Sequence, residues 1–123
     1  MIKSNENKVS WIKSNPLLLE MLELLSQKGV WCKDFIAKRS KSFPVGPYDT
    51  DARSFCIGGA FLRLSRGYSQ NMIDDAYSRI SIVLDGKDFK KYSFIPPSWV
   101  NFNDNKLTTL EDIITLLRKA LNI

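Results

Sequence analysis

The side chains able to do chemistry are few in this chain of 123 residues, and histidine is not among them. Its absence removes Ser-His-Asp and Cys-His catalysis, the common zinc and non-haem iron sites, and the usual proton shuttle near neutral pH. Thiols, amines and carboxylates remain. Of the two cysteines, Cys32 is followed by Lys33 and is the better candidate for a reactive thiolate. Cys56 sits in the apolar stretch "SFCIGG" and reads as an inert core thiol. Two sulfurs without histidine make a poor zinc site, so neither metal nor cofactor is expected. In a reducing cytosol, with enough chain for an ordinary core, both thiols are expected to be free and buried.

Carboxylates give no better set. Asp74-Asp75 and Glu111-Asp112 are neighbours at the starts of predicted helices, where they suit the dipole, and adjacent helical residues do not point the same way. Asn103-Asp104 is the most suggestive polar pair, yet its place just before a capped helix suits loop donors and capping. The chain is therefore expected not to be an enzyme. An enzymatic alternative would use Cys32 or a carboxylate with Arg39 as anion holder, and would require Cys32, Arg39 and Asp104 in one pocket.

Charge carries more information. The formal balance is +5, and residues 28–66 hold Lys28, Lys33, Lys38, Arg39, Lys41, Arg53, Arg63 and Arg66 against only Asp34, Asp49 and Asp51. The rest of the chain is balanced, so attraction to phosphate or to an acidic partner is expected from this middle third. Arg63 and Arg66 share a helical face, fit for a helix C-terminus or for clamping an anion. A second candidate surface is "DGKDFKKYSFIPPSWVNFNDNK", long for a plain connection, in which Lys90, Lys91, Tyr92 and Trp99 head a mixture of rings and amines. Such a mixture can stack bases or plug a protein pocket, or it can fold back over the core with its lysines at the rim.

The elements that must position these residues read as helices. "NPLLLEMLELLSQKG" has an N-cap in Asn15, proline at the first helical position and a stop at Gly29. "VWCKDFIAKRS", with Trp31 and Phe35 four apart, predicts a short second helix. A third, from about Asp51 to Ser65, is apolar all round and is expected to be central, with the last helix packed on it. A fourth runs from Ser69 to about Leu84, and the fifth opens on a Thr108/Glu111 capping box. The expected fold is thus all-α, a single domain over 1–123 with about five helices around a buried central one, and room for a short strand or hairpin within 87–102. Gly58 and Gly59 weaken the central helix unless bare backbone is needed there for a neighbouring helix or the Trp31 ring.

Trp31-Cys32, Ala37, Arg39, Ala52, "FCIGGA", Asn103-Asp104 and a Thr-led terminal helix ending in "LLRKA" together resemble a family of short bacterial and phage proteins known as a domain of unknown function. Its members carry W-C, (W/F)-C-x-x-G-A and N-D motifs ahead of a T-x-x-E…LLRxA helix, and the likeness spans roughly residues 20–121. The resemblance suggests a phage or mobile-element connection and carries no functional assignment. The expected function is a small, non-enzymatic binding protein that acts on a protein or nucleoprotein partner, such as an inhibitor or modulator of a host complex. The alternative is direct nucleic-acid binding through Lys33, Lys38, Arg39, Lys41, Arg53, Arg63 and Arg66. The opening stretch "MIKSNENKVSWIKSN" offers no signal-peptide core and no apolar run approaches a membrane span, which reads as a cytoplasmic chain without membrane contact.

Overall fold

The computed structural model describes residues 15–40, 43–88 and 91–123. Lys41 and Lys90, both candidate binding residues, lie outside the described residues, as do Phe89 and the chain before Asn15. The order of elements is α1 (Pro16–Ser26), β1 (Ala37–Ser40), β2 (Phe43–Val45), β3 (Ser54–Phe55), α2 (Ile57–Ser65), α3 (Gln70–Asp85), α4 (Pro97–Asp104) and α5 (Leu110–Leu121).

The fold is mixed, and the all-α expectation is overturned by a three-stranded antiparallel sheet of order β2-β1-β3. The sheet occupies the segment expected to be the second helix and the start of the third. Two local events defeat the helical spacing of Trp31 and Phe35. The Cys32 N–H donates to the Phe55 carbonyl at 3.0 Å, and Asp34 takes a left-handed conformation at φ 70°. Aspartate tolerates that region, and no helix continues through it. From there Ala37 pairs with Val45 on one side and with Phe55 on the other, both in antiparallel register. The pairing of β1 with β2 slips between Lys38 and Ser40. The described part of residues 87–102 holds no strand; it contributes α4 instead.

Helix boundaries follow local chemistry where caps are strong. Asn15 accepts from the Leu18 N–H at 3.0 Å and Pro16 opens α1. Ser69 caps α3, and Gly86 ends it at φ 68°. The capping box of α5 is one residue later than expected: Thr109 and Asp112 form it reciprocally, while the Thr108 N–H is drawn into a turn with the Asn105 carbonyl. Asp74 and Asp75 stand beyond the first turn of α3 and serve elsewhere. Asp75 pairs with Arg79 at 2.9 Å and accepts from Asn15, and Asp74 accepts from the Tyr92 N–H.

α2 is short and enclosed, with Ile57 to Phe61 all buried, as an all-round apolar helix should be. Its main neighbours are α1 and α4, whereas α5 lies chiefly on α1 and α3, so the terminal helix is not the partner of the central one. Leu17, Leu18, Met21, Leu25, Phe61, Ile80, Trp99, Ile113 and Leu117 form the heart of the core.

Candidate functional site

The glycine pair is explained by what touches it. A Cβ on Gly59 would sit 1.9 Å from the Ile36 carbonyl oxygen, so β1's entry strand can pass only over bare backbone. A Cβ on Gly58 would meet the Ile95 side chain at 3.0 Å. The close neighbours are a strand-entry carbonyl and an isoleucine, not a helix or the Trp31 ring.

Beside this contact the polar motifs converge. Phe55 gives its N–H to the Val30 carbonyl at 2.7 Å and takes the Cys32 N–H, which makes Trp31 its parallel partner. Asn103, fully buried near the end of α4, reaches into that junction. Its Oδ1 accepts from Trp31 Nε1 at 2.7 Å and from the Ile57 N–H at 3.0 Å; its Nδ2 donates to the Cys32 carbonyl at 3.0 Å and to Asp104 Oδ1 at 2.9 Å. An amide has two lone pairs and two N–H bonds, and all four are used. Asp104 Oδ1 also accepts from the Asp34 N–H at 2.9 Å, holding the left-handed turn, and the Lys33 ammonium donates to the Asn105 carbonyl at 2.7 Å. The tryptophan, the two cysteine stretches and the Asn-Asp pair therefore form one clasp. The four positions of the Asn103 amide are spent on backbone and on the clasp itself.

The two thiols lie in this clasp, both buried and unpaired. Burial pushes the Cys32 thiol above its ordinary value, with the Ser54 hydroxyl and Lys38 pulling the other way. Burial likewise raises Cys56, against the Gly59 and Gly58 amides, whose N–H groups favour a thiolate at this helix start. Cys56 Sγ caps α2 by accepting from the Gly59 N–H at 3.2 Å. Cys32 and Asp104 are brought together, but Arg39 is turned to a ring on the hairpin, so the three residues of the enzymatic alternative do not assemble.

The hairpin and the segments around it carry the second constellation. Arg39 stacks on Phe43 at 4.0 Å, Arg66 on Tyr48 at 4.7 Å, Arg63 lies 5.5 Å from Phe55, Lys38 5.9 Å from Phe35 and Lys33 5.5 Å from Trp31. Five cation–ring contacts thus fall within residues 31–66, the two at 4.0 and 4.7 Å being the closest. Phe43 is 52% exposed and Tyr48 45%. Arg39, Arg53 and Arg66 are exposed and Lys38 partly so; the Arg53 N–H donates to the Lys38 carbonyl at 2.8 Å, which joins the two backbones. Among the described residues the one ion pair is Asp75–Arg79, so these cations have rings rather than carboxylates for company. Pro44 stands in the middle of the edge strand β2, where a missing N–H discourages further strand pairing.

The expected site residues thus divide. Arg39 lies on the hairpin against Phe43, Arg66 lies at the end of α2 against Tyr48, and Lys38 and Arg53 are joined through their backbones beside β1. Arg63 is drawn inward, donating to the carbonyls of Pro47 at 2.9 Å and Asp49 at 2.7 Å, and so fixes the loop that presents Tyr48 instead of clamping an anion. Lys33 serves the clasp. Lys91 is exposed, and Tyr92 is half-buried with its ring 5.0 Å from Phe61. Trp99 has no exposed surface and packs edge-on to Phe61 at 5.2 Å, so it is a core residue and not a surface anchor. Phe43 and Tyr48 were not among the expected residues; the signal for them is "FPVGPY", whose rings flank a turn directly after the basic run.

Fold and site together define a small mixed helix–sheet domain with a closed polar clasp on the inside of the sheet and a cation-bearing aromatic face on its hairpin. The chain belongs to the family of unknown function DUF6197, which it matches over residues 15–122. No curated protein and no solved structure matches it. Among the described residues no helix is long and apolar enough to cross a membrane.

Proposed function

We propose that the protein is a non-enzymatic binding protein that takes an anionic macromolecule on its hairpin face. The observation that carries this reading is the set of exposed arginines resting on exposed rings, Arg39 on Phe43 and Arg66 on Tyr48, neither of them in an ion pair among the described residues. An anionic partner supplies what that face lacks. The Asn103 amide and Asp104 Oδ1 are engaged in the clasp, which supports a structural role for that pair over a catalytic one. Its motifs resemble those of short bacterial and phage proteins, which supports a modulator that docks on a larger host assembly, and two free thiols suit the reducing cytoplasm.

The test is elution from immobilised heparin. The double variant Lys38→Glu with Arg39→Glu is expected to elute at clearly lower salt than the parent. Arg118→Glu with Lys119→Glu, the same charge change on α5, is expected to move elution less. Equal shifts for the two pairs overturn the reading, because they would reflect net charge alone.

A further inference from the structure

The hairpin face also bears on what kind of anion it takes, and this step rests on the binding role just proposed. We propose that the occupant is a single-stranded nucleic acid whose bases stack on Phe43 and Tyr48 while its phosphates meet Arg39 and Arg66, the guanidinium groups over those rings.

Three features favour this partner. Each exposed ring has a guanidinium over one face, at 4.0 Å for Phe43 and 4.7 Å for Tyr48, and about half of each ring residue stays open to solvent. Bases stack on aromatic rings and on guanidinium planes alike, so an unpaired base can join such a stack without dismantling it. A protein pocket would have to swallow the ring whole and strip or bury its arginine, which is a costly desolvation. A duplex offers phosphates but keeps its base faces stacked inside, leaving the rings with nothing to do. A peptide strand added to the sheet would need the edge at β2, and Pro44 blunts that edge. The presentation is also rigid: Arg63 pins the Pro47–Asp49 loop by two hydrogen bonds, so Tyr48 is held outward by the body of the protein.

The experiment is fluorescence anisotropy with a labelled oligothymidylate of about 15 nucleotides and a duplex of the same length. Binding of the single strand is expected to be at least about tenfold tighter than that of the duplex, and to weaken steeply from about 50 to about 200 mM salt. Phe43→Ala and Tyr48→Ala are each expected to lose roughly five- to hundredfold in affinity, with melting unchanged, and Phe43→Trp to retain binding. Equal affinity for duplex and single strand, or full binding by both alanine variants, overturns stacking while the anionic-partner reading stands on its heparin result. No binding of either oligonucleotide, with the heparin difference intact, also overturns it and assigns the face to an acidic protein.

Discussion

Asn103 and Arg39 both carry flat, nitrogen-bearing side chains, and the protein uses them in opposite ways. The Asn103 amide is fully buried and satisfies Trp31, Ile57, Cys32 and Asp104 with its four hydrogen-bonding positions. The Arg39 guanidinium has more donors, rests in solvent on Phe43, and meets no carboxylate among the described residues. A polar group that is closed on every side specifies a fold, because any rearrangement leaves buried partners unmet. A charge held in place and left open is available to something outside the chain. Conserving polar groups for structure and presenting them for contact are thus separated in space, one inside the sheet and one on its hairpin.

The sharpest way to break the comparison is at the clasp. Asn103→Leu leaves the Ile57 N–H, the Cys32 carbonyl and the Trp31 indole N–H without their partner, and is expected to cost about 3 to 5 kcal/mol, lowering the melting temperature by roughly 10 °C or more. Circular dichroism on heating measures it, and a shift of a degree or two would mean that water replaces the amide. Gly59→Ala follows, at about 2 to 3 kcal/mol, because its Cβ would sit 1.9 Å from a backbone oxygen that cannot rotate away. Gly58→Ala is its internal control: the nearest atom is the Ile95 Cγ2 methyl at 3.0 Å, side chain and not backbone, so the cost is expected to stay below about 1 kcal/mol once better helix propensity is counted. A denaturant titration of both variants settles the order, and equal losses would contradict the close approach of Ile36. The smallest effect belongs to the hairpin. Arg39→Glu is expected to leave stability within about 0.5 kcal/mol by the same titration, since exposed substitutions away from buried networks rarely do more.

How much of this was legible in the sequence follows the range of the interactions. Asn15 with Pro16, Ser69 and Gly86 announced helix ends correctly, because a cap is decided within a turn of the chain. Even the capping box of α5 was misplaced by one residue only, Thr109 with Asp112 for Thr108 with Glu111, since two threonines in a row offer two registers. The sheet was hidden because its strands have 4, 3 and 2 residues, too short for an alternating pattern to stand out. "SF" of β3 runs straight into α2 and was absorbed into the helix, and the Trp31–Phe35 spacing imitated a helical face. At the candidate site, the positive excess of residues 28–66 pointed to the segment that holds the proposed face. The rings that partner it did not show, because "FPVGPY" carries its turn signal more loudly than its aromatics. Trp99 looked available only while its long connection had no assigned place; once that connection is seen to fold into α4, the indole goes to the core.

The clasp has one more consequence, for the way the chain folds. Its bonds from the Trp31–Asp34 segment to Asn103, Asp104 and Asn105 span 70 to 72 residues. Closing a loop of that size costs roughly 4 kcal/mol of chain entropy, and the cost is incurred once for the whole set. The first of these bonds is therefore unfavourable alone and the later ones come almost free, which makes the set form together or not at all. Such distant pairing slows folding relative to a helical bundle of the same length. A chain shortened before Asn103 would keep every strand of the sheet and still lack the side chain that locks them to α2, so the sheet waits on the last third of the sequence before it can become permanent.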